Sequence, residues 1–311
     1  SIPYPNRPQC FTGVFCLFPT RPDLEPDLAA SSILFYPDPT RIITCHTLVI
    51  HGKLIPSITL WSKFIMAKQF KRFFSVDSPK AIKANKYGYL NAINYMAPHS
   101  TGGVGNLCPN ASEGCKSLCL GKYSGQASLV KDLENGTNNV RESRIRKAEY
   151  FMQDRKAFMS EMTDHVRDLV KKSVKDKLKL CVRPNGSTDI AFEYTKTKGG
   201  QSLPDRFPDV QFVDYTKSMK RVLNPKRPNN YHLTFSLSET NKAEAEKVLK
   251  AGFNVAVVFG NGMPDTFMGH KVIDGLQHDL RHLDPSPVIV GLEPKGKKAL
   301  NDKTGFVVRE Y

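Results

Sequence analysis

Six short segments between residues 178 and 294 constrain this chain most: LKLCVRPN (178–185), VQFVDYT (210–216), YHLTFSLS (231–238), FNVAVVFG (253–260), HKVIDG (270–275) and VIVGLEP (288–294). Each concentrates β-branched, aromatic or other apolar residues over a strand's length. KYGYLNAINYMAP (86–98) is an earlier segment of the same kind, halted at Pro98. Between the third and fourth segments, ETNKAEAEKVLKAG is predicted to be a helix, with Thr240 as N-cap and Gly252 as its stop. From Val140 to about Lys175, the residues Ile145, Ala148, Phe151, Phe158, Met162, Val166 and Leu169 recur mostly at steps of three and four. That spacing predicts one long amphipathic helix or two abutting ones, with Asn139 and Glu142 as a capping box. Strands separated by helices or crossover-length segments predict an α/β fold with a mainly parallel sheet.

Alternation within the strands narrows the choice. In YHLTFSLS, Leu233, Phe235 and Leu237 share one face, while His232, Thr234 and Ser236 share the other. In LKLCVRPN, Leu180 and Val182 oppose Cys181, Arg183 and Asn185. A parallel sheet covered by helices on both faces is apolar throughout, whereas one polar face fits a ligand-holding interior. The expected architecture is therefore a partial or full (β/α) TIM-like barrel, with a solvated antiparallel face as the alternative. Functional loops in such folds lie at the C-terminal ends of the strands. That edge would gather Arg183, Asn185, Asp189, Asp214, Lys217, Ser236, Glu239, Asp274 and Lys295.

CPNASEGCKSLC (108–119) follows the first strand after the flexible STGGVGN, and holds three cysteines, Cys108, Cys115 and Cys119. Thiolates suit zinc or an iron-sulfur cluster. A structural zinc site closes with four ligands. Here the fourth would have to be His99 or Cys181, and Cys181 is read foremost as a small buried strand residue. Three thiolates on a [4Fe-4S] cubane leave one iron open to an exchangeable ligand. Cys115 and Cys119, four residues apart, can face one way on a helical turn, and the 109–114 loop is long enough to bring Cys108 over. An iron-sulfur cluster is the preferred reading, ahead of zinc and of three unligated thiols.

The seven cysteines are odd in number and unevenly placed, which argues for reduced thiols in a cytoplasm-like compartment rather than a disulfide framework. No apolar run approaches the roughly 20 residues of a membrane span. Residues 1–65 stand apart. The first methionine is Met66, and nine of the 21 prolines and the only tryptophan, Trp61, precede it. This stretch is expected to be upstream translated sequence, a fused segment or a poorly ordered extension, with 66–311 as the working domain. The formal charge is +15, with a pI near 9.4. Residues 66–311 carry 40 Lys+Arg against 26 Asp+Glu, or +14, a surplus that attracts nucleic acid or a small anionic substrate.

GYLNAINYMAP, CPNASEGCKSLCL, NNVRESRIRKAEYFMQDRKAFM, RPNGSTDIAFE, FVDYTK, NYHLTFSLSE, NVAVVF, VIDG, DLRHLDP and VGLEPKG, in that order, resemble the successive blocks of the phage gene product 88 family across about residues 70–308. Such a resemblance implies a phage protein working in the host cytoplasm. The cysteine loop is also similar to that of the radical S-adenosylmethionine enzymes. Their [4Fe-4S] cluster lies in the loop after the first strand of a barrel, and its open iron chelates the methionine part of the cofactor. Their spacing is Cys-x3-Cys-x2-Cys, whereas this chain has Cys-x6-Cys-x3-Cys, and RPNGSTD stands where their GGE-type motif would be. That similarity implies a cluster, with S-adenosylmethionine as a candidate cofactor.

Arg183 and Asn185 are candidates to bind a carboxylate or phosphate, or to fix the turn. Asp214 and Lys217 are candidates to bind ligand, or to pair with each other. His232 is a candidate proton carrier or a satisfied interior histidine, and Ser236 shares its face. Lys220, Arg221, Lys226 and Arg227 form a basic stretch, open to nucleic acid or solvent. No Ser-His-Asp arrangement, P-loop or Rossmann fingerprint occurs. The expected function is a phage-type [4Fe-4S] protein with redox or radical chemistry on a small molecule. The alternatives are a nucleic-acid-binding protein with structural zinc and an iron-sulfur electron carrier.

Overall fold

The computed structural model describes Gln69–Tyr311 together with two short strands, β1 (Val49–Ile50) and β2 (Lys53–Leu54), that pair antiparallel. Contacts divide the chain into two compact units, Ser1–Lys68 and Gln69–Tyr311. The expectation for residues 1–65 otherwise lies outside the described residues.

In the larger unit an eight-stranded sheet runs in the order β3 (Tyr89–Ile93), β4 (Lys179–Arg183), β5 (Gln211–Thr216), β6 (Tyr231–Ser236), β7 (Val255–Val258), β10 (Ile289–Leu292), β9 (His270–Asp274), β8 (Thr266–Phe267). Every pairing is parallel except the β8–β9 hairpin. The fold is thus α/β with a mostly parallel sheet whose terminal strands are β3 and β8. From β3 to β7 each strand is laid beside its predecessor in one direction. With right-handed crossovers, this order sends every connection over the same face.

That face is apolar. Leu90, Ala92, Leu180, Val182, Phe212, Leu233, Phe235, Val255 and Val257 are buried in one large core. Against it pack α4 (Asn139–Gln153) and α5 (Arg155–Lys175), through Ala148, Phe151, Phe158, Met162 and Val166. The predicted long helix is therefore two, divided at Asp154, whose side chain accepts from Ala157 N–H at 2.9 Å. The cap of α4 is Asn138 rather than Asn139: its Oδ1 takes Arg141 N–H at 2.9 Å. The other predicted helix forms as α8 (Lys242–Lys250), capped at Asn241 instead of Thr240 and followed by Gly252 at φ +86°.

The opposite face carries Asn91, Cys181, Arg183, Val213, Tyr215, His232, Thr234 and Ser236, in line with the alternation in sequence. Residues 275–288, which link β9 to β10, run back over this face. Leu280 packs with Ala84, Cys181 and Val213, and Asp279 approaches Arg183 at 3.9 Å. Further along, the His282 and Tyr89 rings meet edge to face at 5.0 Å. Among the described residues, no helix is long and apolar enough to cross a membrane.

Candidate functional site

The cysteine loop leaves the C-terminal end of β3 and is built from short caps. Ser112 Oγ accepts Cys115 N–H at 3.2 Å, opening the helical turn α2 (Glu113–Ser117). Cys119 then caps the turn α3 (Leu120–Tyr123). Glu239, just beyond β6, reaches across to this loop. Its carboxylate accepts from Ser112 Oγ–H at 2.8 Å and from Gly114 N–H at 2.8 Å. Thr304 closes in beside Gly114, where an added Cβ would lie 2.6 Å from its hydroxyl. Loops after β3 and β6 and the C-terminal segment thus converge, as expected at the mouth of a parallel sheet.

Cys108, Cys115 and Cys119 are all half-buried and free of disulfides. Burial pushes the Cys108 thiol up to about 12, against the pull of His99 N–H, with Cys119, Asp189 and Cys115 raising it further. That N–H lies 3.2 Å from Cys108 Sγ. Burial likewise pushes Cys119 up to about 11. Gly121 and Lys122 N–H groups and the Lys217 ammonium work the other way. Cys108 and Cys119 thus each carry a backbone donor on the sulfur, the kind of outer contact that orients a thiolate ligand once it is bound. Among the described residues, no group of three or more His, Cys, Asp and Glu side chains stands in an arrangement that would hold a metal ion.

Lys217 and Ser236 come together at this mouth, with Lys217 Nζ donating to Ser236 Oγ at 2.9 Å. The expected Asp214–Lys217 pair does not form. Successive strand residues face opposite ways, and Asp214 lies on the helix-covered face. It is 1% exposed and receives Asn185 N–H at 2.9 Å, Asn185 Nδ2–H at 2.7 Å and the Tyr231 hydroxyl. Asn185 also holds its own loop, accepting from Thr188 Oγ–H at 2.7 Å and Ile190 N–H at 2.9 Å. Both residues therefore shape the loop after β4. Arg183 stays on the polar face, 4.8 Å over the Tyr215 ring. Cys181 is fully buried in a small separate cluster, its thiol raised by burial and then by Asp279 and Asp214.

The basic stretch is divided. Arg221 turns inward, with Nε donating to Glu193 Oε1 at 2.6 Å and Nη1 bonded to Asp189. Arg227 lies 5.3 Å over Phe253 and bonds the Val222 carbonyl, while Lys220 and Lys226 are exposed. His232 sits at the start of β6, with its proton affinity pulled down to about 4 by burial, then by His282, Arg227 and Arg281.

Sequence reading named much of the polar face but missed the segment that covers it. Asn91, Tyr215, Asp279, Arg281, His282 and Asp284 all belong to it or to the segment over it. A signal existed in DLRHLDP, where four ionisable side chains fall within six residues between two strands. Such density is unusual in a simple connection.

A family model described as gene product 88 matches residues 71–310. No curated protein and no solved structure matches the chain.

Proposed function

This chain belongs to the gene product 88 family, and we propose that within it Cys108, Cys115 and Cys119 hold a [4Fe-4S] cluster with one iron open. One observation carries the reading: three free cysteines, two of them with backbone N–H donors on the sulfur, lie in one short loop at the C-terminal edge of a parallel sheet. The donor set fits, because soft thiolates are what such a cluster takes. When bound, the cluster would supply one-electron redox chemistry and an exchangeable coordination position, with S-adenosylmethionine as the candidate occupant.

The chain's own residues would prepare that site. Glu239 fixes the loop through Ser112 and Gly114, and Asn185 with Asp214 fixes the neighbouring loop. Lys217 and Ser236 would face the bound small molecule, and the Lys217 charge would offset the negative charge of thiolates. Arg183 would guard the polar face behind them. Loading would displace thiol protons, so occupancy would fall with acid.

The fold reading that accompanies this is a sheet curved toward a partial barrel. Tyr89 on β3 meets His282, which also lines a pocket with His232 on β6. In a flat sheet those strands stand three spacings apart, roughly 14 Å. One residue serving both supports strong curvature.

The test is electron paramagnetic resonance of the anaerobically reconstituted, reduced protein, with and without S-adenosylmethionine. A [4Fe-4S] signal that shifts on adding the cofactor is expected. A cluster signal that ignores it would favour an electron carrier. Stoichiometric zinc with salt-sensitive nucleic-acid binding would contradict the proposal and favour the zinc alternative.

A further inference from the structure

A second concavity lies at the other end of the strands, where β5 and β6 begin. It holds about 300 Å³ and is lined by Gln211, Arg227, Asn229, Tyr231, His232 and His282. No carboxylate lines it. His282 Nδ1 and Nε2 and His232 Nε2 are buried and have no hydrogen-bond partner. A buried imidazole nitrogen left without a partner costs free energy, and these three belong to two histidines that line one concavity. We propose that this pocket binds the phosphate group of a small molecule, held by Arg227, Asn229, His232 and His282.

The chemistry of the walls selects the ligand. Arg227 provides a guanidinium, which suits phosphate oxygens, and Asn229 adds an amide. Gln211 fixes the wall by turning its own amide into the backbone, donating to Phe212 O at 2.8 Å and to Asn230 O at 3.1 Å. The surroundings of the histidines are short of negative charge. Those bearing on His232 are His282, Arg227 and Arg281, and those bearing on His282 are His278, Arg281 and Lys179. Burial together with these neighbours brings both histidines down to about 4, so both are neutral near pH 7. The acids nearby are engaged: Asp284 lies 3.2 Å from Arg281, and Asp279 approaches Arg183. A dianion entering the pocket would supply the missing charge and draw protons onto the imidazoles.

The inference is independent of the cluster, since none of these residues belongs to the cysteine loop. The experiment is isothermal titration of the full chain with inorganic phosphate and, separately, with succinate, each in two buffers of different ionisation enthalpy. Saturable phosphate binding with net proton uptake is expected. His282→Phe keeps a ring beside Tyr89 but removes both nitrogens, and should weaken binding at least tenfold and diminish the uptake. Arg227→Met, checked for folding by circular dichroism, should weaken it similarly. Binding of succinate but not phosphate would overturn the phosphate assignment. Absence of binding, or equal phosphate affinity in wild type and folded His282→Phe, would overturn the site.

Discussion

Glu239 accepts Gly114 N–H at 2.8 Å across 125 residues of chain, and through this bond the loop after β6 determines where the cysteine turn α2 stands. The same carboxylate takes the Ser112 hydroxyl, so its loss removes two anchors at once. Glu239→Ala is predicted to lower unfolding free energy by about 1–3 kcal/mol, because charge-assisted bonds at a part-buried site are the stronger kind. Iron retained after reconstitution should fall as well. Glu239→Gln, which keeps an acceptor oxygen, should fall between. Urea titration and iron analysis of the same samples check both.

Gly121 lies two residues past Cys119, where an added Cβ would stand 2.8 Å from Ser187 Cβ and 3.0 Å from the Pro98 ring. Neither neighbour is the far end of a flexible side chain. Gly121→Ala is predicted to cost roughly 1–3 kcal/mol through overpacking. Its melting temperature should drop, and Cys119 should react faster with a thiol reagent than in wild type.

Two buried groups give opposite pH signatures. Burial raises Asp214 to about 6, against the hydrogen bonds of Tyr231 and Asn185 and the charge of Arg183. Its contribution is full below the unfolded value near 3.9 and is lost as pH rises through 6, a change of roughly 3 kcal/mol. His232 is lowered to about 4, so its contribution is full above the unfolded value near 6.5 and is lost as pH falls toward 4, again by roughly 3 kcal/mol. Relative to wild type between pH 4 and 6, stability should therefore rise more steeply with pH in Asp214→Asn and less steeply in His232→Asn. Denaturant titrations across that window read the two slopes.

Arg221 is held by Glu193 and Asp189 in a buried network. Arg221→Met leaves two carboxylates uncompensated and is predicted to cost about 3–5 kcal/mol. Lys220→Ala and Lys226→Ala, at exposed positions, should stay within about 0.5 kcal/mol of wild type. Chemical denaturation separates the two classes.

Much of the sheet was legible because its physics is local. Alternation in YHLTFSLS separated Leu233 and Phe235 from His232 and Thr234, and the structure places those pairs on the helix-covered and polar faces. The split of the long helix was one of two open readings, decided by Asp154 turning into a cap. The cap of α4 slipped by one residue because Asn138 and Asn139 are adjacent and identical, and only the backbone path chooses between them. Asp214 was assigned to the mouth by its place near a strand end, but strand parity turns it to the other face. Glu239 was placed at the right edge, yet its bonds to Ser112 and Gly114 join residues far apart in sequence. His282 had no local signal beyond the ionisable density around it, since its role depends on the path of residues 275–288 over the sheet.

The cluster reading is tested most directly by iron and acid-labile sulfide per chain after anaerobic reconstitution, measured alongside Cys115→Ala. The account predicts about four of each in wild type, with a brown chromophore, and strongly reduced loading in the variant. A colourless wild type without iron or sulfide, or one carrying a single zinc, would contradict it.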